Sequence, residues 1–478
     1  MKFLPQSRAL SRRQWLRVSS RVGAGAMLAA HAPLRVFSAD APAAIDIGTR
    51  RELFVDDLLI ASLGGAQLKM QKPEPRDVAI TCDAPWEGNT SAYFSIFEDA
   101  GKFRMYYRGA HWDEQAKKEA HPELTCYAES ADGLAWVKPK LGLHEFRGSP
   151  DNNIVHAGEA THCFTPFKDA NPACAADARY KAVSGYFRKG LMAYKSPDGL
   201  HWSRLAETPV ITAGAFDSQN LAFWDAERGE YRGYWRIFAN GVRAIRTATS
   251  RDFVRWENQA DLKYGDAPHE HLYTNAVQAY RRAPHLFVAF PTRFQPKHQQ
   301  VEPVFMTSRD AVNFRRWPDA LIPITAPKDR DGNRSNYMTW GLLQLPGSER
   351  ELSVYATEAY YAGPGSRVRR FVFRTDGFVA LSAGAAGATV ETRALKFRGE
   401  KLALNLVSRG NTRVEIVGEG DSKPFAGFAA ADCTPIRGDF IEHAVAWKGG
   451  SLAALAGKAV RLRFLLEDAE LFSMKFGA

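Results

Sequence analysis

A short turn sequence returns along much of this chain, and it limits the folds available more than any other feature. Ser130-Ala-Asp132-Gly-Leu-Ala-Trp136 recurs as Ser196-Pro-Asp198-Gly-Leu-His-Trp202. It weakens to Ser250-Arg-Asp252-Phe-Val-Arg-Trp256, then to Ser308-Arg-Asp310-Ala-Val-Asn-Phe314, and ends as Arg374-Thr-Asp376-Gly-Phe378. The five aspartates stand 66, 54, 58 and 66 residues apart, a period that belongs to a repeat architecture. Ser and Asp side chains in such a turn bond nearby backbone N–H groups, and Gly supplies a positive φ. The aromatic four residues beyond the Asp is then placed to pack between neighbouring sheets. These aspartates read as structural.

Each turn belongs to a unit with two further strands. The pairs are 91–97 with 103–108, 162–167 with 180–186, 220–224 with 231–237, 275–280 with 285–290, and 337–345 with 351–356. All are short, rich in Phe, Tyr and Val, and joined by polar turns, which is the pattern of antiparallel hairpins. Long helical periodicity is missing, and only 113–119 reads as a short helical insertion. Five sheets of about four strands predict an all-β chain with a five-bladed β-propeller over 50–382. The run 51–60 is expected to start the propeller and to close its last blade. Beyond the small-residue linker 383–389, alternating strands over 389–478 predict a C-terminal β-sandwich.

Charge locates an address and excludes a partner class. The formal charge is +10, but residues 1–41 hold +6 of it, leaving +4 on the rest. No basic cluster suited to a phosphate backbone stands out there, which argues against nucleic acid. Ser11-Arg12-Arg13-Gln14-Trp15-Leu16 before the weak apolar run 22–30 reads as a twin-arginine export signal over 1–41, placing the mature protein in the periplasm or outside the cell. That run is too short for a membrane anchor. Five cysteines make no disulfide framework. No residue pattern fixes an oligomeric state.

A propeller gathers the starts of its inner strands around one axis, so polar residues there can share a site. The candidates are Glu87, Asn89 and Thr90 on blade one, and Glu159, Thr161 and His162 on blade two. Blade three has Asp217, Ser218, Gln219 and Asn220; blade four has His269, Glu270, His271, Tyr273 and Asn275; blade five has Arg334, Asn336 and Tyr337. Strand alternation puts Glu270 on the face opposite His269 and His271, so the acid or the histidines face the axis. Arg293 and Arg334 suit an anionic substituent on a substrate. Trp86, Trp112 and Trp340 suit sugar stacking or blade packing equally.

The propeller–sandwich order resembles glycoside hydrolases of the invertase, levanase and arabinanase type, families 32 and 43. The closer resemblance is to exported proteins described as family 32-like, through 53–57 (Leu-Phe-Val-Asp-Asp) and 85–89 (Pro-Trp-Glu-Gly-Asn). The familiar Asn-Asp-Pro-Asn-Gly, Arg-Asp-Pro and Glu-Cys motifs of invertases are missing. The resemblance implies an exported glycoside hydrolase that cleaves a terminal sugar from a carbohydrate substrate with two carboxyl groups. Carried over by position, Glu270 is the expected general acid, Asp217 an acid, base or modulator, and Glu87 the base or nucleophile. Asn89, His162, Gln219, Asn220, His271, Tyr273, Arg293, Asn336 and Trp340 are the expected substrate-binding set. No metal ligands or resident cofactor are read from the residues, though some relatives hold a calcium ion in the axial channel. A non-hydrolytic glycan-binding propeller, and a polysaccharide lyase or phosphorylase on the same scaffold, are the alternatives.

Overall fold

The computed structural model describes residues 44–186, 189–324 and 336–478. Residues 1–41, where an export signal is expected, and Arg334 lie outside them. Helical structure among the described residues is confined to 3₁₀ turns such as Ala176–Ala178 and Leu452–Leu455. No helix there is long and apolar enough to cross a membrane.

Five sheets form the propeller blades. Blade one runs Ala92–Asp99, Lys102–Gly109, Leu124–Ser130 and Ile154–Ala157 from axis to rim, and blade two runs Thr165–Lys168, Tyr180–Tyr186, Gly190–Ser196 and Ser203–Arg204. Blade three is Leu221–Asp225, Glu230–Ala239, Val242–Ser250 and Glu257–Asp261. Blade four is Val277–Tyr280, Ala283–Ala289, Gln300–Ser308 and Phe314–Ala320. Its second strand resumes after Pro291 as Thr292–Gln295, and this extension pairs with His271–Thr274. The 113–119 insertion is a two-stranded hairpin, Trp112–Asp113 with Lys118–Glu119, rather than a helix.

The repeated turn explains itself in backbone hydrogen bonds. In the first four copies the Ser Oγ accepts from the N–H groups two and three residues on, and the Asp Oδ1 accepts from those two and three beyond itself. Gly133 and Gly199 sit at φ 74° and 81°, and Phe253 and Ala311 hold the same left-handed turn at 67° and 69°. With the Ser and Asp bonds kept, the turn survives loss of its glycine in blades three and four. A tyrosine from the preceding blade then docks the turn. Tyr355 OH donates to Gly133 O at 2.6 Å, Tyr106 OH to Gly199 O at 3.0 Å, and Tyr234 OH to Ala311 O at 3.1 Å. Trp136 and Trp202 pack edge-on against Tyr355 and Tyr106, as the motif predicts.

Ring closure uses a different segment from the one the sequence suggests. Glu74–Thr81 pairs with Arg367–Arg374, which itself pairs with Glu351–Glu358, and so makes the outer strand of blade five. The innermost chain of that blade bridges its own sheet at Met338 and Leu343. It also bonds blade one directly: Trp340 N–H donates to Phe94 O at 2.9 Å, and Ile96 N–H to Trp340 O at 2.8 Å. The earlier run 51–60 lies elsewhere. Arg51–Leu53 pairs with 473–475, and Ile60–Ser62 pairs with Ala388–Thr392, both in the C-terminal sheet. Ile45–Gly48 and Gln67–Met70 join that sheet as well. The sandwich therefore takes strands from both sides of the propeller in the chain. Its longest strand, Lys401–Gly418, bonds Ala469–Gly477 with its first half and Val460–Leu466 with its second, and so turns from one layer to the other. Leu402, Leu404, Leu406, Val414, Ile416, Leu462, Phe464 and Met474 fill the space between.

The fifth turn aspartate holds the two domains together. Asp376 is buried and accepts from Arg51 Nη1 at 3.1 Å, Arg282 Nε at 2.9 Å, Tyr280 OH at 2.5 Å and Ser473 Oγ at 2.8 Å. Burial works against its charge, but Arg51 and Arg282 outweigh that and hold the carboxyl below its ordinary range. Breaking a buried ion pair from one side costs about 3–5 kcal/mol. Asp376→Asn should therefore lower stability by about that amount in urea denaturation, and a loss under about 1 kcal/mol would contradict the role given to it.

Candidate functional site

The inner strands begin at one end of the propeller axis, and the residues at those starts meet there. Tyr93 should, by simple alternation, sit in the regular sheet. It does not, because the register between 92–99 and 102–109 slips between Ala92 and Ser95, and Tyr93 has φ 59°. A bulge of this kind re-aims a side chain. The Tyr93 ring lies 5.9 Å from that of His162 on blade two and 6.4 Å from Tyr337 on blade five. Tyr337 in turn lies 5.9 Å from Tyr273 of blade four and 5.4 Å from Tyr360. Blade three contributes Arg236, whose guanidinium carbon is 4.7 Å from the Tyr273 ring centre and which is ion-paired with Asp217. All five blades thus reach one axial mouth.

His271–Thr274 is a strand, and its burial alternates. His271 and Tyr273 share one face and meet Arg243, with His271 Nδ1 accepting from Arg243 N–H at 3.2 Å and Tyr273 lying 5.1 Å from its guanidinium. Glu270 faces the other way. Arg293 Nη1 is 3.3 Å from its oxygens and Arg316 Nη1 is 2.7 Å away. Glu270, His269 and Arg316 line a cleft of about 530 Å³ between blades three and four.

Charges at the mouth are organised around Arg108, which is buried on the second strand of blade one. Its Nη2 donates to Thr90 O at 2.8 Å and Tyr360 OH at 3.0 Å, and its Nη1 to Glu123 Oε1 at 3.2 Å. Its guanidinium carbon stands 4.8 Å from the Tyr93 ring centre. His162 Nδ1 lies 2.9 and 2.8 Å from the two Glu123 oxygens. Burial opposes a charged imidazole, but Cys163 and Glu123 outweigh it and push His162 up to about 10. Glu123 moves the other way, its burial overcome by His162 and Arg108. Glu119, on the insertion hairpin and exposed at its surface, is pushed up by the desolvation its neighbours impose and by the charge of Glu123. Burial also raises the phenols of Tyr93, Tyr337 and Tyr360, which therefore remain protonated donors at neutral pH.

Of the residues nominated from sequence, His162, Asp217, His271 and Tyr273 come together at this mouth. Glu87 turns outward: Tyr107 OH donates to it at 2.5 Å and Lys138 Nζ pairs with it at 2.6 Å. Asn89 bonds Trp112 N and O and anchors the insertion hairpin. Gln219 Nε2 donates to Phe94 O across the axis, and Asn220 Nδ2 bonds Phe216 O and Ser218 O, so both amides serve the backbone. Asn336 is fully buried. Trp340 is packed in the blade core with its indole N–H on Val277 O at 3.0 Å. Arg293 is engaged by Glu270 and Glu302.

Sequence reasoning missed Tyr93, Arg108, Glu119, Glu123, Arg236, Arg243 and Tyr360. One signal was available for Arg108 and Arg236. Each follows an aromatic near the end of a blade's second strand, and in an antiparallel hairpin that end lies beside the start of the inner strand. Among the described residues no group of three or more His, Cys, Asp or Glu side chains is arranged to hold a metal ion.

No family model and no curated protein matches the chain. Among solved structures it is similar to an endo-arabinase from Bacteroides thetaiotaomicron, at 10% identity over 62% of this chain and 98% of that one, with TM-score 0.39. It is also similar to a Bombyx mori GH32 β-fructofuranosidase, at 10% identity over 84% and 94% with TM-score 0.41. A third is a β-1,2-mannobiose phosphorylase from Listeria innocua, at 11% identity over 64% and 97% with TM-score 0.43. The propeller and the sandwich rest on the strand pairings themselves.

The charge on His162 is open to direct measurement. Its folded value lies above the ordinary one, so its contribution to stability is complete below about 6.5 and is lost as pH rises toward about 10. In an NMR titration, the His162 ring should remain protonated at pH 8. A midpoint near 6.5 would contradict the Glu123 pairing.

Proposed function

We propose that the protein is an exported glycoside hydrolase whose active site is this axial mouth. The observation that carries the reading is the carboxyl arrangement on blade one. Glu123 is held ionised by His162 and Arg108, and beside it Glu119 is pushed toward its protonated form. Glycosidic cleavage needs such a pair of states, one carboxylic acid to protonate the leaving oxygen and one carboxylate to activate water or attack carbon. In this reading Glu119 is the acid, and Glu123 keeps its proton in place by like-charge repulsion. Asp217, ion-paired with Arg236 on blade three, is the base or nucleophile. The neutral phenols of Tyr93, Tyr337 and Tyr360 donate hydrogen bonds to sugar hydroxyls.

Two features outside the carboxylates support the same reading. The exposed aromatics Phe238 and Tyr361 flank the mouth, Phe238 near Arg236 and Tyr361 stacked edge-on with Tyr360. Such rings suit the apolar faces of sugars. The paired arginines at 12 and 13 support export. An eliminative lyase is the weaker reading, because a tyrosine acting as base must lose its proton, and burial here raises the phenols.

The test is turnover on a panel of aryl glycosides and plant or algal polysaccharides. Glu119→Gln and Asp217→Asn should each lower kcat by about a hundredfold or more, the range of general acid–base catalysis. Glu270→Gln and Glu87→Gln should stay within about threefold of wild type, since both carboxylates are engaged away from the mouth. Wild-type rates in both Glu119→Gln and Asp217→Asn would end the assignment. Glycan binding with no cleavage of any panel member would favour a binding module, and an unsaturated product would favour a lyase.

A further inference from the structure

The blade-three side of the mouth carries more positive charge than its own side chains neutralise. Arg236 and Arg243 face the same two rings. Their guanidinium carbons are 4.7 and 5.1 Å from the Tyr273 ring centre, and each is 5.7 Å from that of Phe238. Asp217 pairs with Arg236 Nη2. Arg243 has no carboxylate partner among the described residues; its Nη1 reaches His271 Nδ1 at 3.4 Å and its flank lies over Phe294. Two neighbouring guanidinium groups therefore have one carboxylate between them, and it pairs with Arg236.

Several donors of this pair are buried without a hydrogen-bond partner. Arg236 is only 2% exposed, yet its Nε and Nη1 have no hydrogen-bond partner, and Arg243 Nε has none either. A buried polar group left without a partner costs roughly 1–3 kcal/mol, more when charged. Structures retain such groups where a ligand or water completes them. Guanidinium forks match the two oxygens of a carboxylate or sulfate. Directly beside them Phe238, at the outer end of 230–239, is 59% exposed, a large apolar ring left in solvent next to two cations.

We propose that Arg236 and Arg243 bind a ring-borne oxyanion of the glycan, a carboxylate or a sulfate, while the sugar ring rests on Phe238. The inference rests on the mouth being a glycan site and adds the class of glycan, an acidic one. Arg293 was the sequence's choice for such a group, but Glu270 and Glu302 already satisfy it. Arg243 is the specificity residue of the pair, because its charge is uncompensated. Arg236 is held by Asp217 and serves both the carboxylate and the anion.

Binding can be measured without turnover, which separates this inference from the hydrolase assignment. Isothermal titration of the mature chain should use oligogalacturonate and oligoglucuronate in one arm, sulfated galactose oligosaccharides in a second, and the matching neutral oligosaccharides in a third. At least one charged arm should bind tenfold or more tightly than its neutral match, and added salt should narrow that gap. Arg243→Gln should remove most of the preference while leaving the fold intact by circular dichroism, and Phe238→Ala should weaken charged and neutral ligands together. Preference for the carboxylated or for the sulfated arm identifies the substituent, and either supports the inference. Equal binding of charged and neutral ligands, binding by none, or a preference unchanged in Arg243→Gln overturns it. If charged ligands bind but Glu119→Gln and Asp217→Asn keep wild-type turnover, the catalytic assignment falls and the anion site stands.

Discussion

The ring closes on backbone hydrogen bonds between its first and last blades, and everything at the mouth depends on that closure. Trp340 bonds Phe94 and Ile96 at the axis, while Glu74–Thr81 completes the outer edge of blade five. A propeller left open would expose two strand edges and would not hold blade five's Tyr337 and Tyr360 against blade one's Tyr93 and Arg108. Closure thus converts residues 244 or more positions apart into hydrogen-bond and ring-contact partners. Arg108 and Tyr360, separated by 252 residues, are one such pair. The tyrosines that dock the turns of blades one, two, four and five on the preceding blade help fix the angular spacing that closure requires.

Burial and charge at the mouth act as one system. Arg108 is buried, so its partners Glu123, Tyr360 and Thr90 O are needed to compensate for the water it has lost. Glu123 is then committed to His162 and Arg108, and its fixed negative charge adds to desolvation in raising Glu119. The phenols respond to the same burial by holding their protons. Neutral phenols, a carboxyl pushed upward and a carboxylate held ionised thus arise from each group's desolvation and from what lies beside it. The domain junction follows the same rule at Asp376, where two arginines and two hydroxyls compensate one buried carboxylate.

The repeat made the five-bladed architecture legible, because Ser, Asp and an aromatic at fixed offsets report a turn whatever surrounds them. The strands of each hairpin were legible for the same reason, from short apolar runs between polar turns. The closing strand was not, since Glu74–Thr81 has mostly exposed side chains and carries little apolar signal. The fifth turn was legible as a copy of the motif but its role was not, because Asp376 bonds Arg51 and Ser473 of the sandwich. At the site, the reading found the right strand starts but not the direction of the side chains. Tyr93 is turned by a bulge, Glu270 by its alternation with His271, and Glu87 by Lys138, 51 residues away. The alternation of Glu270 with His271 was legible, though not which of the two faces the axis; the other two depend on the partner strand and on a distant cation.

Hydrogen–deuterium exchange with a bound glycan tests the central claim most directly, which is that five separate segments form one ligand site. The account predicts that an acidic oligosaccharide slows exchange together in peptides covering 89–93, 119–123, 236–243, 271–275 and 358–361. Protection confined to the 261–270 cleft or to the C-terminal sandwich, with those five segments unchanged, would contradict it.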